Sequence, residues 1–295
     1  MEDQFIQPYI QTLKNISSET SMFIDVLRLD VIHPIVSGNK WYKLKYYLQE
    51  ALQQQKKQIV TFGGAYSNHI VATAFACKQI GIKSIGIIRG DDGCELTHTL
   101  KKALEYEMEL EFVSRKDYMF KNELSKKYED AFVIPEGGAG ELGVKGAADI
   151  LKEIKIMKYD YIICACGTGT MISGFINGST TKQKVIGINV LKGFEQIELQ
   201  INHQLNNKED KNRYTIFNEY HFGGYAKHPQ PLIDFMAELW QRENVPTDIV
   251  YTSKLFYGVI DLLKNNYFPK KSNILVIHSG GLQGNLSLAK GRLLF

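Results

Sequence analysis

Two lysines, Lys40 and Lys43, stand one helical turn apart in "SGNKWYKLKYYL" (37 to 48), among four aromatic residues and directly after Gly38 and Asn39. A lysine is a nucleophile only as the free amine, and an ordinary pKa near 10.4 keeps it protonated at neutral pH. Desolvation or a neighbouring cation lowers that value, so one amine could react with a carbonyl while the other supplies the field. The same spacing fits a solvated lysine face opposite Trp41, Leu44 and Tyr47 or Leu48. The stretch alone leaves both readings open.

Two other short stretches carry groups suited to holding an anionic ligand. "ACGTGTMISGF" sets Gly167, Thr168, Gly169 and Thr170 between a strand-like run and a helix whose inner face carries Ile172, Phe175 and Ile176. Free backbone N–H groups and the helix dipole make such a junction an anion site, and glycine lets the backbone approach a phosphate. It is neither a Walker loop nor the GxGxxG dinucleotide fingerprint, and a plain tight turn remains the alternative. "GGAYSNH" puts Ser67 and Asn68 at a helix N-terminus, where both are preferred capping residues. Asn68 could instead face a ligand, with the Ser67 hydroxyl free for hydrogen bonding or proton handling.

The elements that must position these groups alternate along the chain. "QIVTF", "SIGIIRG", "ELEFV", "AFVIPEGG", "YDYIICACGTGT", "KVIGINV" and "NILVIHSGG" read as strands, with helical patterning between most of them. Such alternation predicts parallel sheets covered by helices, joined by right-handed crossovers. Ligands in sheets of this class bind beyond the carboxyl ends of the strands, where "GGAYSN", "PEGGAG", "CGTGT" and "HSGG" fall. A shared ligand cleft follows.

The chain has 295 residues, with 44% hydrophobic and 23% charged, values of an ordinary globular protein. Lysine and arginine total 35 against 32 acidic residues, a balance of +3 without a basic stripe, which argues against nucleic acid as a partner. No apolar run reaches a membrane-spanning length of roughly 18 residues. The acidic start "MEDQFIQPYIQTL" lacks a secretory pattern, so a cytoplasmic location is expected. Cys77, Cys94, Cys164 and Cys166 lack paired CxxC spacing and read as buried thiols, with no metal site expected.

Taken in order, "GNKWYKL", "FGGAYSNH", "VIPEGGAGELGVKGAADI", "CGTGTMISG", "GGYAKHP", "IVYTSK" and "IHSGG" resemble the 1-aminocyclopropane-1-carboxylate deaminase and D-cysteine desulfhydrase family of pyridoxal-phosphate enzymes, from about residue 37 to 285. The resemblance implies an α/β, tryptophan-synthase-β-like chain of fold type II with two lobes, each a helix-covered, mostly parallel sheet. Residues 1–45 and 141–295 would form the large cofactor-binding lobe, and 46–140 the small inserted one. It also implies pyridoxal 5'-phosphate as cofactor, a small amino acid as substrate and a homodimer. Lys40 would be the amine that carries the cofactor, with Lys43 as a supporting charge. Gly167, Thr168, Gly169 and Thr170 would hold the phosphate, Asn68 the ring hydroxyl, and Tyr251 would stack on the ring. Ser67 and Tyr225 would sit on the substrate side.

Ring-opening members of that family resemble one another in having glutamate after the stacking tyrosine and leucine after the histidine of "HLGG"; here those positions hold Thr252 and Ser279. This pair is similar to the desulfhydrase pattern, because a neutral hydroxyl near the pyridine nitrogen gives a weaker electron sink than a carboxylate. The expectation is therefore α,β-elimination from D-cysteine to pyruvate, hydrosulfide and ammonia. Ring-opening deamination and a non-catalytic cofactor-binding relative are the alternatives. Tyr66, where relatives commonly have glutamine, and His69 depart from the pattern beside the substrate carboxylate. The chain also looks abbreviated at its N-terminus and around 193 to 222.

Overall fold

In the computed structural model of the chain, which describes residues 5–90, 95–193 and 196–295, the alternating pattern resolves into two sheets. The chain begins with β1 (Tyr9–Thr12), α1 (Lys14–Thr20), β2 (Phe23–Arg28) and α2 (Asn39–Gln53). It continues through β3 (Gln58–Gly64), α3 (Asn68–Gln79), β4 (Lys83–Arg89), α4 (His98–Glu105), β5 (Glu109–Val113), α5 (Lys121–Ser125) and β6 (Phe132–Ile134). The remainder comprises α6 (Glu141–Asp149), β7 (Tyr161–Cys166), α7 (Thr170–Gly178), β8 (Lys184–Asn189), α8 (Ile197–His203), β9 (Tyr214–Phe217), α9 (Gln230–Glu243), α10 (Thr252–Lys264) and β10 (Asn273–His278).

The larger sheet has the order β1-β2-β10-β7-β8-β9 and is parallel except for the antiparallel edge strand β1. The smaller, β5-β4-β3-β6, is wholly parallel. A parallel sheet needs cover on both faces, which is why β7 and β10 are almost continuously apolar rather than alternating. One face of the larger sheet packs on Leu255, Phe256 and Val259 of α10, the other on Ile172, Phe175 and Ile176 of α7.

Helix α2 serves both sheets. Its Tyr42 belongs to the α7 side of the larger sheet, whereas Leu44, Tyr47, Leu48 and Ala51 pack with Ala72 and Phe75 of α3 on the smaller one. Residue 45 therefore lies inside a helix that bridges the two cores. Helix α6 nests between α2 and α7, since a Cβ on Gly146 would overlap the Tyr42 carbonyl and one on Gly174 would stand 2.5 Å from the Ala147 methyl. Cys77, Cys164 and Cys166 are buried free thiols, as expected; Cys94 lies outside the described residues. Among the described residues no helix is long and apolar enough to cross a membrane, and no His, Cys, Asp and Glu cluster has metal-binding geometry.

Candidate active site

The glycine turns do fall at the carboxyl ends of parallel strands: "GGAYSN" follows β3, "CGTGT" follows β7, and "SGG" follows β10. Helix α2 starts at the same level. Its first residue, Asn39, donates its backbone N–H to the Ser279 carbonyl at 3.1 Å, and Gly38 donates to Leu29 O at 2.9 Å. These bonds tie the lysine-bearing helix to the ends of β2 and β10.

Neither lysine lies on a solvated face, which corrects that reading of the helix. Lys40 is half-buried, its Nζ donating to Asn39 Oδ1 at 2.6 Å. Burial lowers its pKa to about 8 against the pull of Asp248. Lys43 is 6% exposed. Burial, and then the charge of Lys40, lowers its pKa to about 7. Among the described residues its one hydrogen bond is a long 3.5 Å contact to Gly137 O. A buried ammonium with so little compensation calls for an anion beside it.

The anion site adjoins it. Gly169 is the N-cap of α7 with φ +77, a conformation that glycine adopts without steric cost, and Thr170 opens the helix. The first-turn amides of α7 have no intrahelical partner. Thr168 Oγ1 and Thr170 Oγ1 lie 2.9 Å apart. A Cβ on Gly137, the residue whose carbonyl meets Lys43, would stand 3.7 Å from Thr168 Cγ2, so lysine and loop share a wall. A Cβ on Gly167 would stand 3.3 Å from the Tyr251 ring, which brings the stacking candidate against the loop.

At the start of α3, Ser67 occupies the N-cap position, yet its side chain makes no capping bond. The hydroxyl is thereby left for other partners. Asn68 Oδ1 accepts from Gln283 Nε2 at 2.6 Å, an arrangement that leaves the Asn68 Nδ2 as a donor. His69 turns inward: its Nε2 lies 2.8 Å from Thr61 Oγ1, whose hydroxyl donates to Ile134 O at 2.9 Å, so the histidine is the donor. Its buried Nδ1 has no partner among the described residues. Burial, with Lys40 and Lys43 adding to it, lowers its pKa to about 3, which keeps the ring neutral.

Asp248, buried before α10, organises the third side. Its Oδ2 accepts from the N–H of Val250 at 2.8 Å and of Tyr251 at 3.0 Å, and its Oδ1 from the N–H and hydroxyl of Thr252 at 2.8 and 2.7 Å. Thr252 Oγ1 in turn accepts from Asp248 N at 2.7 Å. Both groups are thus committed to each other. Ser279 is 8% exposed and its hydroxyl makes no hydrogen bond among the described residues. A Cβ on Gly281 would meet Asn68 Nδ2 at 3.1 Å and Asp248 Cγ at 3.3 Å, so the turn after β10 joins α3 to α10. Tyr225 stands at the mouth, 45% exposed, its ring edge-on to Tyr251 with centroids 6.3 Å apart.

Asp248 and Gln283 are site residues that none of the sequence motifs singled out. Asp248 lies three residues before the N-cap Tyr251 and accepts from the N–H two positions on, an Asx turn for which aspartate is a favoured residue; nothing local marks Gln283. A depressed-pKa amine, an unmatched buried cation, a glycine-lined helix N-terminus, an aromatic face and an amide donor converge here. That set fits an aromatic aldehyde bearing a phosphate. Fold and site together define a pyridoxal-phosphate enzyme of fold type II.

Comparison with known proteins agrees. The family model for the pyridoxal-phosphate dependent enzymes matches residues 10–280. A Thermotoga maritima protein named "putative 1-aminocyclopropane-1-carboxylate deaminase" is 31% identical, over 93% of this chain and 94% of its own. The D-cysteine desulfhydrase of Yersinia pestis is 24% identical over 92% and 90%. A solved structure of an ACC deaminase homologue superposes with a TM-score of 0.83 at 28% identity, covering 95% of this chain and 91% of that one. Tomato threonine deaminase, 15% identical with a TM-score of 0.70 and covering 95% and 80%, shares the fold. The chain belongs to the pyridoxal-phosphate dependent enzyme family, in the group of 1-aminocyclopropane-1-carboxylate deaminases and D-cysteine desulfhydrases, and its cofactor is pyridoxal phosphate.

Proposed function

We propose that the enzyme carries out α,β-elimination on D-cysteine, converting it with water to pyruvate, hydrosulfide and ammonia. The observation that carries this reading is the polar end of the cleft at Ser279. It offers a hydroxyl, and the carboxylate packed against Gly281 of the same turn, Asp248, has both oxygens engaged by Val250, Tyr251 and Thr252. When bound, the cofactor supplies an electron sink for the carbanion at Cα. With a hydroxyl rather than a carboxylate at the pyridine nitrogen that sink is modest, which suits loss of a good thiolate leaving group.

The chain's own residues then have these roles. Lys40 would hold the cofactor through its amine and would serve as the base at Cα; its lowered pKa keeps part of the amine neutral near pH 8. Gly167, Thr168, Gly169 and Thr170 would hold the phosphate with Lys43 as its counter-charge, and Asn68 Nδ2 would donate to the ring oxygen. Tyr251 would cover the ring, while the hydroxyls of Ser67 and Tyr225 would orient the substrate carboxylate and pass a proton to its leaving sulfur. Residues 46–140 serve as the small lobe and 1–45 with 141–295 as the large one, a division supported by the confinement of the smaller sheet to β3 through β6.

The names of several relatives favour ring-opening deamination on the same scaffold. Product assays on the cofactor-loaded enzyme separate the two. Sulfide and pyruvate from D-cysteine, with little 2-oxobutanoate from the cyclopropane amino acid, are expected; the reverse preference overturns the reading. Because the Thr252 hydroxyl is locked to Asp248, Ser279→Leu is the cleaner branch variant and should depress sulfide release. Thr252→Glu combined with Ser279→Leu should depress it further.

A further inference from the structure

Lys254 is the third residue of α10 and is 0% exposed. Burying an ammonium costs far more than burying a methionine of similar length, and a cation in the first turn also opposes the helix dipole. Its single hydrogen bond among the described residues accounts for its place: Nζ donates to Gly224 O at 2.6 Å. Burial lowers its pKa to about 8, with the charge of Asp248 opposing the shift.

Gly224 directly precedes Tyr225, in a loop whose own hydrogen bonds are all local. Phe222, Gly223, Gly224 and Ala226 have φ of 52°, 94°, 118° and 54°. For the two residues with side chains this is a sparsely populated conformation that persists only where the surroundings impose it. The loop's internal bonds are short-range: Gly223 N to His221 Nδ1 at 2.9 Å, Gly224 N to His221 O at 3.0 Å, Lys227 N to Gly224 O at 3.2 Å, and a 2.7 Å contact between His228 Nδ1 and Ala226 O. Its ties to α10 and that helix's N-cap are the Phe222 ring edge-on to Tyr257, with centroids 4.7 Å apart, the Tyr225 ring edge-on to Tyr251, and the Lys254 ammonium, the one hydrogen bond among them. Lys254 follows Tyr251 by three residues on the same helix.

We propose that Lys254 is a positioning residue for Tyr225, its ammonium clamping the preceding carbonyl so that the phenol is held edge-on to Tyr251 at the mouth of the cleft. The helix that presents the ring-covering tyrosine thereby also fixes the substrate-side one. The inference rests on the reading of Tyr225 given above, and its test separates the two.

Turnover of D-cysteine by the cofactor-loaded enzyme is measured for Tyr225→Phe, Lys254→Met and the double variant, alongside amide hydrogen exchange of the 222–227 segment. Lys254→Met should lower kcat by about 10- to 100-fold, the scale of a misplaced reacting group, with cofactor absorbance retained. Exchange should quicken in 222–227 and stay unchanged in β7 and β10. In the Tyr225→Phe background the same substitution should cost no more than about twofold, because contributions made through one group do not add. Unaltered exchange in 222–227, or fully additive losses, overturns the clamp. A harmless Tyr225→Phe refutes the role of Tyr225, while the exchange result still decides the clamp. Should Lys254→Met not fold, Lys254→Gln, which keeps an N–H donor, is the test: near-native exchange and turnover support the clamp. A folded Gln variant with a native loop but lost turnover overturns it.

Discussion

Gly38 and Ser279 are packed so closely that a methyl group on the glycine would overlap the serine carbonyl oxygen. That same oxygen accepts the Asn39 N–H at 3.1 Å. The segment leading into Lys40 and the turn after β10 therefore share one backbone joint. Gly38 has φ +65, which a side chain would strain even with space available.

Gly38→Ala should consequently cost more than the roughly 1 to 3 kcal/mol of a strained backbone conformation, because the clash adds to it. It should also displace Lys40. Denaturant midpoints and the visible absorbance of the bound cofactor measure the two effects. A variant with native stability and full cofactor incorporation would show that the joint is slack.

Lys43 should trade folding stability against cofactor binding. Its pKa falls from 10.5 to about 7 on folding, and that of Lys40 from 10.5 to about 8. Between these values the unfolded chain binds more protons than the folded one, so stability of the cofactor-free protein rises with pH from about 7 toward 10. Below pH 7 the full penalty is present. Lys43→Met should therefore stabilise the cofactor-free protein at pH 7 by on the order of a few kcal/mol and flatten its pH dependence. The same change should weaken cofactor binding by about tenfold or more, through loss of a charge-assisted contact to phosphate. Calorimetry across pH and cofactor titration read both arms; a destabilised apoprotein would contradict the first.

Gln283 holds Asn68 by its Oδ1 at 2.6 Å across 215 positions of sequence. With Gln283→Leu the amide of Asn68 is free to turn either oxygen or nitrogen to the cleft. A loss of about 1 kcal/mol in cofactor affinity and a shifted absorption maximum are expected, the scale of one neutral hydrogen bond. An unchanged spectrum and affinity would mean that Asn68 needs no orienting partner.

Much of this enzyme was legible without coordinates. Strand and helix periodicity and the glycine turns are written in windows of a few residues, so mostly parallel, helix-covered sheets and the placing of "GGAYSN", "CGTGT" and "SGG" at strand ends follow from local chemistry, while the division into two lobes came from the family resemblance. The order of motifs singled out Lys40. Other features were decided only by the folded chain: that Lys43 is a buried cation against the Gly137 carbonyl, that Ser67 sits at a cap position without capping, and that Thr252 spends its hydroxyl on Asp248. The clamps of Lys254 on Gly224 and of Gln283 on Asn68 belong with them. Desolvation and long-range hydrogen bonds depend on which distant segments meet, and a lysine carries no local mark of whether its neighbour will be water, a carbonyl or another lysine.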